Sequence, residues 1–189
     1  ATYMATFLQQ FDFGGAAANF IKFTADYLHQ DSRMEAFGVA YTDEIMGDLT
    51  MNSGIYSFEA GKGGQITLNF RFPKGTDEKD IEAGLKKAAQ PLDIEVKRSG
   101  KLQVPHYVSP EDPLVKTLLN VYQEQTGEPA EGKVVGGGTY GRLMERGVAF
   151  GAMFPGVPDT MHQANEFMPI DDLVKAAAIY AQSIYELIK

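Results

Sequence analysis

The sequence predicts an α+β half-domain, an antiparallel sheet with two helices, followed by a segment of a layered α/β domain. Three observations carry this. The order helix, strand, strand, helix, strand up to residue 104 reads as an α+β sandwich. The composition changes near Pro105. Beyond it the pattern is αβαβα, one side of a layered domain rather than a whole one. The predicted division is therefore 1–104 and 105–189.

The first helix is expected around Ala16 to His29, where Ala17, Phe20, Ile21, Ala25 and Leu28 recur at helical spacing. Two strands follow. Asp48 to Glu59 alternates imperfectly, whereas Gln65 to Phe72 places Ile66, Leu68, Phe70 and Phe72 on one face, and Gly61, Gly63 and Gly64 between them suit a hairpin. Thr76 is expected to cap a helix from Asp77 to about Ala89, whose first turn holds Asp77, Glu78 and Asp80 where the helix dipole favours anions. A last strand is expected over Asp93 to Arg98.

In the second part, Ser109 to Pro113 opens a helix running to Thr126, with Leu114, Leu118, Val121 and Tyr122 inward, and Gly127 closes it. The spacing then predicts a strand at Lys133 to Val135, a glycine run, a short helix through Arg142 to Arg146 and a strand at Val148 to Phe154. A final helix from Ile170 to Ile188 is expected to face inward through Leu173, Ala176, Ala177, Tyr180, Ile184 and Leu187.

Composition excludes several function classes. A net charge of −8 argues against binding nucleic acid through its phosphates. The absence of cysteine removes disulfides, thiolate catalysis and sulfur-ligated zinc. No apolar run approaches the roughly 20 residues that span a bilayer, and no signal peptide is visible, so a soluble cytoplasmic protein is expected. The chain starts at Ala1 without an initiator methionine, which is compatible with a processed start, a cloned fragment or a missing upstream part.

Gly136, Gly138 and Gly141 formally satisfy G-x-G-x-x-G, the dinucleotide fingerprint. The following helix is too short for a crossover unit, no acidic residue ends a second strand, and no Lys-Ser or Lys-Thr follows as in a P-loop. Two readings remain, a tight turn with close packing or a loop whose backbone N–H groups receive a carboxylate or oxyanion. Of the three histidines, His29 suits a helix C-terminus and His106 carries no assignment. His162 lies past an expected strand end, well placed to ligate a metal, but one imidazole cannot hold a catalytic ion. Asp159 and Glu166 flank it and could orient its ring. Arg71 sits opposite Phe70 and Phe72, either solvated or as a fork for a substrate carboxylate.

The run Gly136 to Arg142, the run Gly147 to Gly156, and the stretch from His162 through Ala181 together resemble the C-terminal part of the M20 metallopeptidases. Within them the PepV-type bacterial dipeptidases are most similar. The likeness extends back through Asn69 to Thr76 and Pro105 to Val108, and so covers nearly the whole chain. The resemblance implies a two-domain enzyme in which a catalytic α/β domain with two zinc ions is interrupted by a lid domain that closes over a dipeptide substrate. It implies that residues 1–104 are the second half of the lid and 105–189 the last catalytic segment. His162 then corresponds to a metal ligand, Arg71 to the lid arginine that grips the substrate carboxylate, and Gly137, Gly138 and Thr139 to the loop lining the substrate site.

The family's remaining metal ligands, its general base and its lid histidine would lie upstream of residue 1. No catalytic residue is therefore expected in this chain, which reads as a C-terminal fragment, inactive without the N-terminal part of the same enzyme. Its inward faces would lack partner strands, so the isolated chain is expected either to form a fragment dimer or to order its C-terminal part poorly. The alternative is an autonomous binding module for an amino acid, built on residues 1–104, or for a nucleotide, built on the glycine run.

Overall fold

In the computed structural model, every residue is described except Gly136, Gly137 and Ala152. The chain forms two compact units, Ala1–Pro105 and His106–Lys189. Among the described residues there are five α-helices and two small antiparallel sheets. None of the helices is long and apolar enough to cross a membrane.

The first unit begins with α1 (Thr2–Leu8), which the sequence pattern did not reveal, packed beside α2 (Gly15–Leu28). Phe23, Thr24 and Leu28 are the buried positions of α2. His29 ends the helix and sits edge-on to Tyr3, ring centroids 4.6 Å apart, a structural role. A minimal ladder of β1 (Thr42–Asp43) and β2 (Gly47–Asp48) leads into the long hairpin β3 (Thr50–Glu59) and β4 (Gly63–Arg71). The register shifts between Ser53 and Ile55, so Gly54 is an extra residue in β3. That bulge is why the alternation of β3 looks imperfect in sequence. In β4 the alternation is intact, and Ile66, Leu68, Phe70 and the following Phe72 all pack on the core.

Helix α3 (Glu78–Ala89) covers the same core with Ile81, Leu85, Ala88 and Ala89. Its cap is Asp77, one residue later than expected, whose carboxylate accepts from Lys79 N at 2.9 Å and Asp80 N at 3.1 Å. A carboxylate offers the orphan amides a stronger acceptor than the neighbouring hydroxyl of Thr76. The strand expected over Asp93 to Arg98 does not form. Asp93 is left-handed at φ 51°, and Ile94 and Val96 pack on the core without a backbone ladder.

The second unit is anchored by α4 (Pro113–Thr126) against α5 (Ile170–Ile188). Asp112 caps α4 through Leu114 N at 2.8 Å, Pro113 occupies the first position, and Gly127 at φ 72° closes it. The buried line of α4 is Val115, Leu118 and Val121, with Leu114 and Tyr122 half-buried at its edges. On α5 the inward line is Asp172, Ala176, Ile179 and Ser183; Ala176 is an expected position, and the other three lie one residue away from expected positions. Leu173, Tyr180, Ile184 and Leu187 are exposed. α5 is amphipathic, with Asp171, Lys175, Gln182 and Glu186 along one side, and its buried line runs along the edge of the apolar face rather than its centre.

Between the two helices the described chain is irregular. The short helix expected at Arg142 to Arg146 is instead a single 3-10 turn, Tyr140–Leu143. The strands expected at Lys133 to Val135 and Val148 to Phe154 are absent among the described residues, the second of them spanning the undescribed Ala152. A strand needs a partner for its backbone groups, and these runs have none among the described residues; Val134 and Val135 are exposed.

Candidate functional site

The loop beginning at Gly138 owes its shape to backbone packing rather than to a ladder. Thr139 starts the 3-10 turn with its hydroxyl free of any capping bond. Arg142 N then donates to Thr139 O, Met144 N to Gly141 O and Gly147 N to Met144 O, at 3.1–3.3 Å. Gly141 is buried, and a Cβ there would lie 2.8 Å from the carbonyl carbon of Val148 and 3.1 Å from Ala149 N. A Cβ on Gly147 would strike Gly141 O. These two glycines therefore let one backbone stretch cross another. Gly138 is exposed, and the three atoms nearest a Cβ there belong to the guanidinium of Arg142. Gly136 and Gly137 lie outside the described residues. The last glycine of the G-x-G-x-x-G pattern thus serves packing, and it sits in a single 3-10 turn rather than at the start of a crossover helix.

Side chains from elsewhere in the unit hold this loop. Arg146 grips Asp112 in a two-bonded fork, Nε to Oδ2 at 2.9 Å and Nη2 to Oδ1 at 2.6 Å. The hydrogen bond from Arg146, then that from Leu114 N, holds the Asp112 carboxyl below the usual aspartate value, and Asp112 raises Arg146. His106 Nε2 lies 2.6 Å from Gly147 O, so the proton on that nitrogen is donated to the carbonyl. Further along, Tyr180 donates to Phe150 O at 3.0 Å, and Gly151 at φ 100° leaves room for the tyrosine ring. None of these partners was legible in sequence, because 30 to 41 residues separate each pair.

His162 is exposed in a second loop and takes a left-handed φ of 62°, as does Asn165 at 63°. Histidine and asparagine are among the few residues that enter this region. Asp159 accepts from Met161 N at 3.0 Å and Glu166 from His162 N at 3.3 Å. Both carboxylates bond backbone amides and shape the turn. Among the described residues no group of three or more histidine, aspartate or glutamate side chains is gathered to hold a metal ion. The donor set does not make a metal centre, although His162 can supply one nitrogen to a site completed elsewhere.

Arg71 is exposed at the end of β4, opposite Thr50, and enters no ion pair among the described residues. It lies in the first unit, whereas Gly138, Thr139 and His162 lie in the second.

Comparison with known proteins finds the sequence profile of "Peptidase family M20/M25/M40" matching residues 12–186. The chain belongs to this peptidase family. A Beta-Ala-Xaa dipeptidase of Lactobacillus delbrueckii subsp. lactis is 45% identical over 190 aligned positions, covering 100% of this chain and 40% of the relative. A putative dipeptidase of Bacillus subtilis, YtjP, is 41% identical over 98% of the chain and 39% of its own length. A putative dipeptidase of Staphylococcus epidermidis is 38% identical with the same coverage. The M20 chain described here thus spans about two-fifths of the length of the curated relatives it matches.

Proposed function

We propose that this M20 chain is the C-terminal part of a zinc-dependent dipeptidase, with Ala1–Pro105 as the second half of its lid and His106–Lys189 as the last segment of its catalytic domain. The observation that carries this reading is 45% identity along the entire chain to a Beta-Ala-Xaa dipeptidase. The apolar stripe left exposed on α5, from Leu173 to Leu187, supports it, since an uncovered face of that kind belongs against further protein. In this reading Arg71 receives the substrate carboxylate, because a guanidinium offers two parallel N–H donors to two oxygens and a free side chain can do so. Gly137, Gly138 and Thr139 line the peptide, with backbone amides and the Thr139 hydroxyl as donors. His162 offers one nitrogen to one of two metal ions whose remaining ligands, with the general base, come from outside this chain. The chain alone is then inactive.

The test is hydrolysis of β-alanyl and α-aminoacyl dipeptides by the intact enzyme, comparing free with C-terminally amidated substrates. Arg71→Lys retains the charge and loses the fork, so kcat/KM for free dipeptides is expected to fall by about tenfold or more, a loss of about 1.4 kcal/mol in transition-state stabilisation, with amidated substrates little affected. Equal loss on both substrates would rule out the carboxylate role. Absence of dipeptide hydrolysis by the metal-loaded intact enzyme would overturn the function.

A further inference from the structure

Among the described residues the segment carrying Gly138 and Thr139 has no strand ladder, yet it is gathered into a closed coil. Its shape is set internally by the backbone crossing of Gly141 under Val148 and Gly147. Side chains from the approach to α4 attach it to the rest of the unit. Arg146 and Gly147, adjacent in sequence, are each held by a residue from the approach to α4: the Arg146 fork on Asp112, and His106 on the Gly147 carbonyl. Asp112 is itself immobilised, since its Oδ1 also caps α4 through Leu114 N at 2.8 Å. The carboxylate therefore joins the N-terminus of a packed helix to the far end of the glycine loop.

We infer that Asp112 and Arg146, with His106, form a latch that positions the Gly138–Thr139 loop for substrate, making them positioning residues of the site rather than surface charges. Exposed ion pairs ordinarily contribute little. This one differs in being two-bonded, in sharing its carboxylate with a helix cap, and in holding a segment with no strand ladder among the described residues. The latch stands on the geometry of the unit; its effect on catalysis rests on the dipeptidase reading.

The shared role of Asp112 makes the latch separable from the cap. Arg146→Ala releases the loop and leaves the cap intact, and Asp112→Asn preserves a good capping side chain while removing the charged fork. In this chain, amide hydrogen exchange over residues 138–148 is expected to accelerate in both variants, with α4 protection unchanged. In the intact dipeptidase, both are expected to raise KM for dipeptides about tenfold with kcat changed by less than about threefold, because displacement of a binding loop weakens substrate and transition state together. The double variant should be no worse than either single one, and Arg146→Lys should recover part of the loss. Unchanged exchange in Arg146→Ala overturns the latch. Faster exchange with an unchanged KM overturns its positioning role. If the wild-type intact enzyme hydrolyses no dipeptide, the dipeptidase reading fails and the positioning role with it, while the exchange result still decides whether the latch exists.

Discussion

Replacing Gly141 by alanine tests whether the glycine run is a packing device. The added Cβ would meet Val148 C at 2.8 Å, Ala149 N at 3.1 Å and Val148 Cα at 3.1 Å, all main-chain atoms. Ordinary contact begins near 3.4 Å, so the crossing must open by several tenths of an ångström at a buried position. Main chain cannot turn aside as a side chain can, and overpacking of this kind costs about 1–3 kcal/mol. We expect the upper part of that range, about 2–3 kcal/mol. Two internal controls are available. The three atoms nearest a Cβ on Gly138 belong to the end of the Arg142 side chain rather than to main chain, so Gly138→Ala should cost less than Gly141→Ala. A Cβ on Gly132 meets nothing within 4 Å, so Gly132→Ala should lie within about 0.5 kcal/mol of the parent. The chain has no tryptophan, so urea unfolding is best followed by far-ultraviolet circular dichroism, with hydrogen exchange assigning the loss to the second unit. If Gly141→Ala matched Gly132→Ala, the crossing would not be tight and the packing explanation would be wrong.

Asp77→Ala removes a cap that satisfies two amides of α3, so the first unit should lose about 1 kcal/mol while Thr76→Ala is nearly neutral; thermal melts of the two variants check this. Ser183 Oγ is buried in α5 without a hydrogen-bond partner among the described residues, so Ser183→Ala should leave stability unchanged or raise it by up to about 1 kcal/mol in urea unfolding. Because the Arg146 hydrogen bond depresses the Asp112 carboxyl below 3.8, its contribution is complete above that ordinary value and is lost as pH falls through the lower folded value. The stability gap between the parent and Arg146→Ala should accordingly be full at neutral pH and close on acidification below about pH 4; a gap that widens on acidification would contradict the assignment. Finally, with His162 as an isolated donor, zinc should bind this chain weakly, and submicromolar stoichiometric binding abolished by His162→Ala in calorimetry would refute that.

The local physics of this chain is legible in its residues. Four of the five helices lie within a residue or two of where apolar spacing, Asp or Pro at the start and Gly127 at the end place them, and the hairpin follows from the strict alternation of β4. The family, too, is legible, in the runs around Gly138, Phe150 and His162. Tertiary structure decided what depends on partners. Ile94, Val134 and Val135 carry strand-like sequence, but a strand exists only where another backbone meets it. On α5 the buried line lies at the edge of the apolar face rather than along its centre, which spacing along one helix does not decide. Asp112, His106 and Tyr180 acquire meaning only when the fold carries them across 30 to 41 residues to Arg146, Gly147 and Phe150. Sequence patterns encode interactions within one turn or one hairpin; the latch on the glycine loop is a long-range contact, and only folding brings its two sides together.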